Sequence, residues 1–304
     1  MENLSVVAEG LQFAEGPIWM ADGSIILVEI KRQTLSRVAP DGTITVIAEL
    51  GGGPNGAAIG PDGAVYVCNN GGFEWYEVEG ALIPGHKPPG YTGGSIQRVD
   101  LATGQATTLY TGCDGEPLHG PNDLVFDTAG GFWFSDHGKS SHHGRDHGAL
   151  YYARADSSHI VKVRGEMLGP NGVGLSPDGT RLYAAETPTG RLWEFEIEAP
   201  GMLKPPPAPW LHGRLICTLP GYQLLDSLKV EAGGKVCVGT LVEGGITVFD
   251  PDGSAELIRF PELAITNLCF GGADRRDVWA TASSSGRLYR CRWPRPGLKL
   301  AYGD

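Results

Sequence analysis

Asn171–Thr187 reads NGVGLSPDGTRLYAAET: an apolar run, an Asp-Gly turn, and a second apolar run. An Asp-Gly pair between two apolar runs signals a β-hairpin. The phrase returns from end to end of the chain. Its other copies begin at Glu15 (EGPIWMADG), Asn55 (NGAAIGPDG), Asn122 (NDLVFDTAG), Asp226 (DSLKVEAGG) and Thr266 (TNLCFGGAD). With the first residue as position 0, position +4 is Trp19, Ile59, Phe126, Leu175, Val230 and Phe270. Position +8 is Gly23, Gly63, Gly130, Gly179 and Gly234, with Asp274 in the last copy. Copies start 40, 67, 49, 55 and 40 residues apart. That period, carried by strands and not by helices, is the spacing of propeller blades.

The chain of 304 residues therefore reads as all-β, a single domain over 1–304 forming a six-bladed β-propeller of four-stranded antiparallel blades. In the first blade the strands are PIWM, SIILVEI, TLSRVAP and TITVIAEL. Residues 2–11 precede the first copy and are expected to give an outer strand to the last blade, closing the ring. Ala199–Trp210 (APGMLKPPPAPW) falls inside blade 4 and reads as a long connection between strands. Gly71–Gly94 lengthens blade 2 and reads as a loop over one face of the disc.

Composition excludes several classes. The 46 Gly and 22 Pro suit a fold rich in tight turns, and the 41% hydrophobic fraction is that of a globular protein. A net charge of −11 disfavours a nucleic-acid partner, which needs clustered Lys and Arg to neutralise phosphates. The six cysteines lack CxxC spacing and sit largely in strand runs, so free thiols are expected. With no basic leader and no long apolar segment, the expectation is a cytoplasmic protein without a membrane partner, monomeric or a small homo-oligomer.

Function enters through position 0. The innermost strand of every blade lines the central channel, so one equivalent position forms a ring about the axis. That ring is Glu15, Asn55, Asn122, Asn171, Asp226 and Thr266. All carry side-chain oxygens, and no Lys or Arg is present to pair the acids. Singly, Asn-Gly at 55 and 171 is a common turn dipeptide. In register, the converging carboxylates call for a divalent cation, which turns their repulsion into affinity. Oxygen ligation suits Ca²⁺, Mg²⁺ or Mn²⁺, and an open carboxylate-rich site also takes Zn²⁺.

The phrases AEGPIW (14–19), PNDLVFD (121–127), PNGVGLSPDGTRLYAAET (170–187), DSLKVEAGGKVCVGT (226–240) and TNLCFGG (266–272) resemble the SMP-30/gluconolactonase/luciferin-regenerating-enzyme family over essentially the whole chain. The resemblance implies a six-bladed propeller and a metal-dependent hydrolase, mainly of sugar-acid lactones, using Ca²⁺, Zn²⁺, Mn²⁺ or Mg²⁺. It implies Glu15, Asn171 and Asp226 as metal ligands. Asn122 stands where members bind metal or substrate, and Asp123 and Asp226 where they carry acids near the reacting centre. Some members have an Arg two residues before Asn122; here that residue is Gly120.

The expected chemistry is lactone opening, with the metal polarising the carbonyl and Asp226 as general base or water-orienting group. Asn122, Asp123, His119 and His137 are the candidate substrate contacts. His142, His143 and His147 share a Gly/Ser-rich loop with His137 that reads as solvated. Trp19, Trp133, Trp193 and Trp279 read as blade core, while Trp75 and Tyr76 in the blade-2 insertion could wall the pocket. Two competing functions are a phosphotriester or fluorophosphate hydrolase at the same calcium site and a non-enzymatic propeller scaffold. A strictosidine-synthase-like propeller shares the shape, but would not keep this metal set.

Overall fold

The computed structural model describes residues 2–303. Six sheets follow one another along the chain, and their innermost strands meet side by side around an axis. These inner strands are Ala14–Trp19, Pro54–Ile59, Pro121–Phe126, Pro170–Leu175, Leu224–Val230 and Asn267–Gly271. Each begins one of blades 1 to 6 and pairs antiparallel with the strand after it. Glu2–Ala8 pairs with Arg287–Arg292 and completes the last blade, so the chain's first strand closes the ring.

The turn after each inner strand has one design. Gly23, Gly63, Gly130, Gly179 and Gly234 all have φ between 68° and 89°. The N–H of each donates to the carbonyl three residues earlier, as Gly23 does to Met20 at 2.8 Å and Gly179 to Ser176 at 2.8 Å. This is a type I turn followed by a left-handed glycine, the three-residue form of hairpin loop. Asp22, Asp62 and Asp178 accept the N–H two residues on and lock it.

Neighbouring strand residues serve different cores. Tyr66 and Cys68 pack toward blade 3, while Val65 and Val67 pack toward blade 1. Six apolar clusters fill the six gaps between adjacent blades in this way. Both faces of every sheet are thus covered, which is why second strands such as VYVCN and IILVE are apolar on both faces up to their last residue. Trp133, Trp193 and Trp279 lie in these clusters as expected. Trp19 is only partly buried and reaches the channel. All six cysteines are free thiols, five of them buried. No helix among the described residues is long and apolar enough to cross a membrane.

Both long insertions form hairpins. Met202–Leu203 folds back on the long blade-4 strand Arg191–Ala199, inside the Pro-rich stretch. In the blade-2 insertion Trp75–Val78 pairs with Ala81–Pro84. That hairpin crosses the disc: Leu82 N–H donates to Ser284 of blade 6, and Lys87 N–H to Ser140 of blade 3.

Candidate metal and substrate site

Position 0 is reached in the same irregular way in five blades. Pairing between the first and second strands shifts register between Glu15 and Ile18, Pro54 and Ala57, Pro121 and Leu124, Pro170 and Val173, and Leu225 and Leu228. A bulge bends its strand and re-aims the side chain. Here it falls at the ring residue and turns it to the axis. In blades 1, 2 and 4 a glycine at position +1 lets the strands close up. A Cβ at Gly16 would lie 2.6 Å from the Ala57 nitrogen, at Gly56 2.6 Å from the Asp123 Cα, and at Gly172 2.6 Å from the Ser227 carbonyl carbon. Asn55-Gly56 and Asn171-Gly172 are therefore strand residues, as their place in the ring requires, although Asn-Gly is common in turns.

The ring's chemistry is uneven. Glu15 is 2% exposed. Its Oε2 accepts from the Gly16 N–H at 3.1 Å and the Asn267 amide at 2.9 Å. Burial pushes its carboxyl up to about 7 against those hydrogen bonds. Asp226 is partly buried; desolvation, then the charge of Glu15, raises its pKa well above the carboxylate range. The two acids therefore oppose each other's ionisation. The Asn171 amide donates to the Thr187 hydroxyl at 3.1 Å, which turns its Oδ1 away from Thr187. Asn122 is buried, and its Oδ1 has no hydrogen-bond partner. Thr266 differs: its hydroxyl is engaged with Thr281 at 2.9 Å and with Ser283. Among the described residues no three His, Cys, Asp or Glu side chains gather in one place, so any cation site here mixes carboxylates with amides.

The flanking candidates separate into two levels. His119 is half exposed at the mouth, and its Nδ1 lies 3.0 Å from Asp146. Its backbone is fixed by buried Asp136, which accepts from the N–H groups of His119 and Gly120 at 2.7 Å each. His137 is partly buried; its Nε2 meets the Arg145 guanidinium and its Nδ1 is buried without a partner. Burial, with Arg145 and Lys139 nearby, depresses its imidazole to about 3, so it is neutral. Asp123 lies deeper. It has no exposed surface and stands 3.5 Å from Lys229, whose side chain lines the far end of the channel. His142, in the loop after His137, stacks edge-on against His86 of the blade-2 insertion at 4.5 Å. Trp75 packs on Phe13 at 5.2 Å and so roofs the blade-1 side of the mouth, while Tyr76 is 49% exposed. A Cβ at Gly120 would come 2.8 Å from the Gly138 carbonyl, which explains why no side chain stands there.

Sequence reasoning passed over Asn70, Lys139 and Arg145, the last in the short strand Gly144–Arg145, all in connections about this mouth. Their signal was present for Asn70 alone: it follows the second strand of blade 2 as His137 follows that of blade 3. Aligning second strands would have found it.

The description SMP-30/Gluconolactonase/LRE-like region matches residues 13–284. A gluconolactonase of Zymomonas mobilis is 23% identical over 299 residues, spanning 88% of this chain and 76% of the relative. The lactonase drp35 of Staphylococcus saprophyticus is 26% identical over 253 residues, 83% and 70% of the two chains. The diisopropyl-fluorophosphatase of Loligo vulgaris is 26% identical over 203 residues, 61% of each. Among solved structures, a gluconolactonase of Xanthomonas campestris superposes with a TM-score of 0.74 at 23% identity, covering 96% of this chain and 90% of that one. A calcium-binding regucalcin of Agrobacterium tumefaciens superposes at 0.72, with 19% identity and 98% coverage of both.

Proposed function

Because the chain belongs to the SMP-30/gluconolactonase/LRE-like family, we propose that it hydrolyses a small-molecule lactone of the sugar-acid class at the polar end of its channel, with one divalent cation held on the axis. The carrying observation is the pairing of Glu15 with Asp226, two desolvated acids without a basic partner in the ring, beside an Asn122 oxygen that nothing satisfies. An all-oxygen set of this kind fits Ca²⁺ first, with Mg²⁺, Mn²⁺ and Zn²⁺ as alternatives. This agrees with the calcium-binding description of the regucalcin neighbour.

Glu15, Asn122, Asn171 and Asp226 would hold the cation. When bound, it supplies a Lewis acid that polarises a carbonyl and lowers the pKa of water. The chain's own residues do the rest. Water adds to the lactone carbonyl carbon, the ring C–O bond breaks, and the freed oxygen takes a proton, leaving an open hydroxy acid. Asp226 accepts the proton from the attacking water, and Asn122, two blades away in the ring, orients the substrate. His119, held by Asp146, and neutral His137 contact substrate hydroxyls at the mouth. Asp123, too deep for that, acts through its charge on Glu15 and Asp226. The Trp75 hairpin limits water on one side.

The test is a lactone panel, including D-glucono-1,5-lactone and xylonolactone, on chelated protein with each divalent ion added back. A pH indicator reports acid release. Activity that vanishes on chelation and returns with one ion is the expected result; full activity in chelated protein overturns the metal role. The likeness to the squid fluorophosphatase favours one second reading, hydrolysis of a phosphorus ester at the same ring. Turnover of a fluorophosphate with none of any lactone would establish it.

A further inference from the structure

Asn70, Lys139 and the backbone of Gly72 form a unit that the reaction as described does not use. Asn70 is 2% exposed and Lys139 3%. The Asn70 Oδ1 accepts twice, from the Gly72 N–H at 2.8 Å and from the Lys139 ammonium at 3.0 Å. A flipped amide would set its NH₂ against two donors, so the orientation is fixed. The Asn70 Nδ2 is left buried and without a partner. Lys139 itself is an expensive residue to bury. No carboxylate pairs with it; its neighbours are Asn70, the Gly72 carbonyl at 2.6 Å, the face of Phe73 at 3.6 Å and the Tyr91 ring at 5.8 Å.

Register places this amide at the mouth. In blades 1 to 4 the residue just past the second strand donates its N–H to the residue two before the ring position: Ile30 to Phe13, Asn70 to Gly53, His137 to Gly120 and Thr187 to Gly169. These four are equivalent. In blade 4 the equivalent residue reaches the ring directly, since the Thr187 hydroxyl bonds Asn171. The Asn70 amide lies over Gly53, two residues from Asn55. Of six buried unpartnered side-chain atoms among the described residues, three belong to the ring position or to the residue just past the second strand of blades 2 and 3: Asn70 Nδ2, His137 Nδ1 and Asn122 Oδ1. A buried donor left unmet costs free energy, and a ligand oxygen removes that cost.

We infer that Asn70 is a substrate-binding residue that donates its amide to an oxygen of a polyhydroxylated substrate, and that Lys139 is the positioning residue that fixes the amide for it. The inference rests on the lactonase reading and adds a specificity contact to it.

The experiment measures KM and kcat for D-glucono-1,5-lactone on the full-length, metal-loaded protein. Asn70→Ala and Asn70→Asp, which both remove the donor, are expected to raise KM about tenfold with little change in kcat. Lys139→Met frees the amide to flip and raises KM by a smaller factor. The double variant is expected to be no worse than Asn70→Ala alone, because Lys139 acts only through that amide. Calorimetric Ca²⁺ titration and thermal unfolding of each variant separate a lost contact from a lost fold. Should Lys139→Met fail to fold, the two Asn70 variants decide the contact alone. An unchanged KM in folded Asn70→Ala overturns the contact, and additive effects in the double variant overturn the positioning role. A wild-type protein inert to every lactone overturns the parent reading, and this one with it; wild-type turnover with unaltered Asn70 variants overturns only this one.

Discussion

The two ends of the channel are built from the same six strands and differ in almost every respect. At position 0 the ring is polar, with opposed acids and an unsatisfied amide oxygen. Four residues further along, Trp19, Ile59, Phe126, Leu175, Val230 and Phe270 all line a cavity of ~350 Å³. The tail Leu298–Gly303 lines it too, with Tyr302 set edge-on against Phe126 at 5.7 Å. Volume alone would send a ligand to the far end. Chemistry sends it to the near one, since an apolar cavity polarises no carbonyl and an unmet polar group costs free energy until something meets it. On the proposed function the near end serves the reaction and the far end packing.

The most severe way to break this comparison is to remove a ring acid. Asp226→Ala and Glu15→Gln should each abolish Ca²⁺ binding and lower turnover by about a thousandfold or more, read by calorimetry and initial rates. Full lactonase activity in metal-free Asp226→Ala would end the proposal. Asn122→Ala should cost less, at least about tenfold in metal affinity, because a neutral oxygen is lost and both carboxylates stay. If affinity is unchanged, the orphaned Asn122 oxygen serves the substrate alone.

At the far end the signs reverse. Phe126→Ala should destabilise by about 3 kcal/mol, as a core aromatic packed on Tyr66, Phe132 and Tyr302 does when truncated. Turnover well below the melting temperature should stay as it was. Lost turnover in a folded Phe126→Ala protein would mean that the apolar end communicates with the site.

The smallest expected effect concerns pH. An imidazole titrating near 6.5 when unfolded is held at about 3 for His137 by burial and by Arg145 and Lys139. Between those values the unfolded chain binds a proton that the native chain refuses. His137 therefore contributes stability in full above about 6.5, and that share is lost as pH falls toward 3. In His137→Gln the melting temperature should fall less steeply across that window. An equally steep fall would place the acid sensitivity at other groups.

The fold was legible because it repeats. Six copies of one phrase gave the blade count, the channel-lining strand and the polar ring, and a family resemblance in the same phrases singled out Glu15, Asn122, Asn171 and Asp226. At Asn55-Gly56 and Asn171-Gly172 the register of the copies overrode local propensity, which favours a turn: each glycine lies in a strand where a neighbouring backbone leaves no room for a Cβ. What does not repeat was less legible. The resemblance places Asp123 near the reacting centre; what the sequence did not show is that it has no exposed surface and stands 3.5 Å from Lys229, 106 residues later.

The sequence by itself determined which residues are equivalent, because equivalence is a matter of spacing, and spacing survives without coordinates. Only the tertiary structure decided what each equivalent residue meets. Thr266 is engaged by Ser283, Asn122 by nothing, and Asn70 by a lysine from the next blade. Those partners come from other blades, loops and strands, and their hydrogen bonds depend on distances that exist only after the ring has closed.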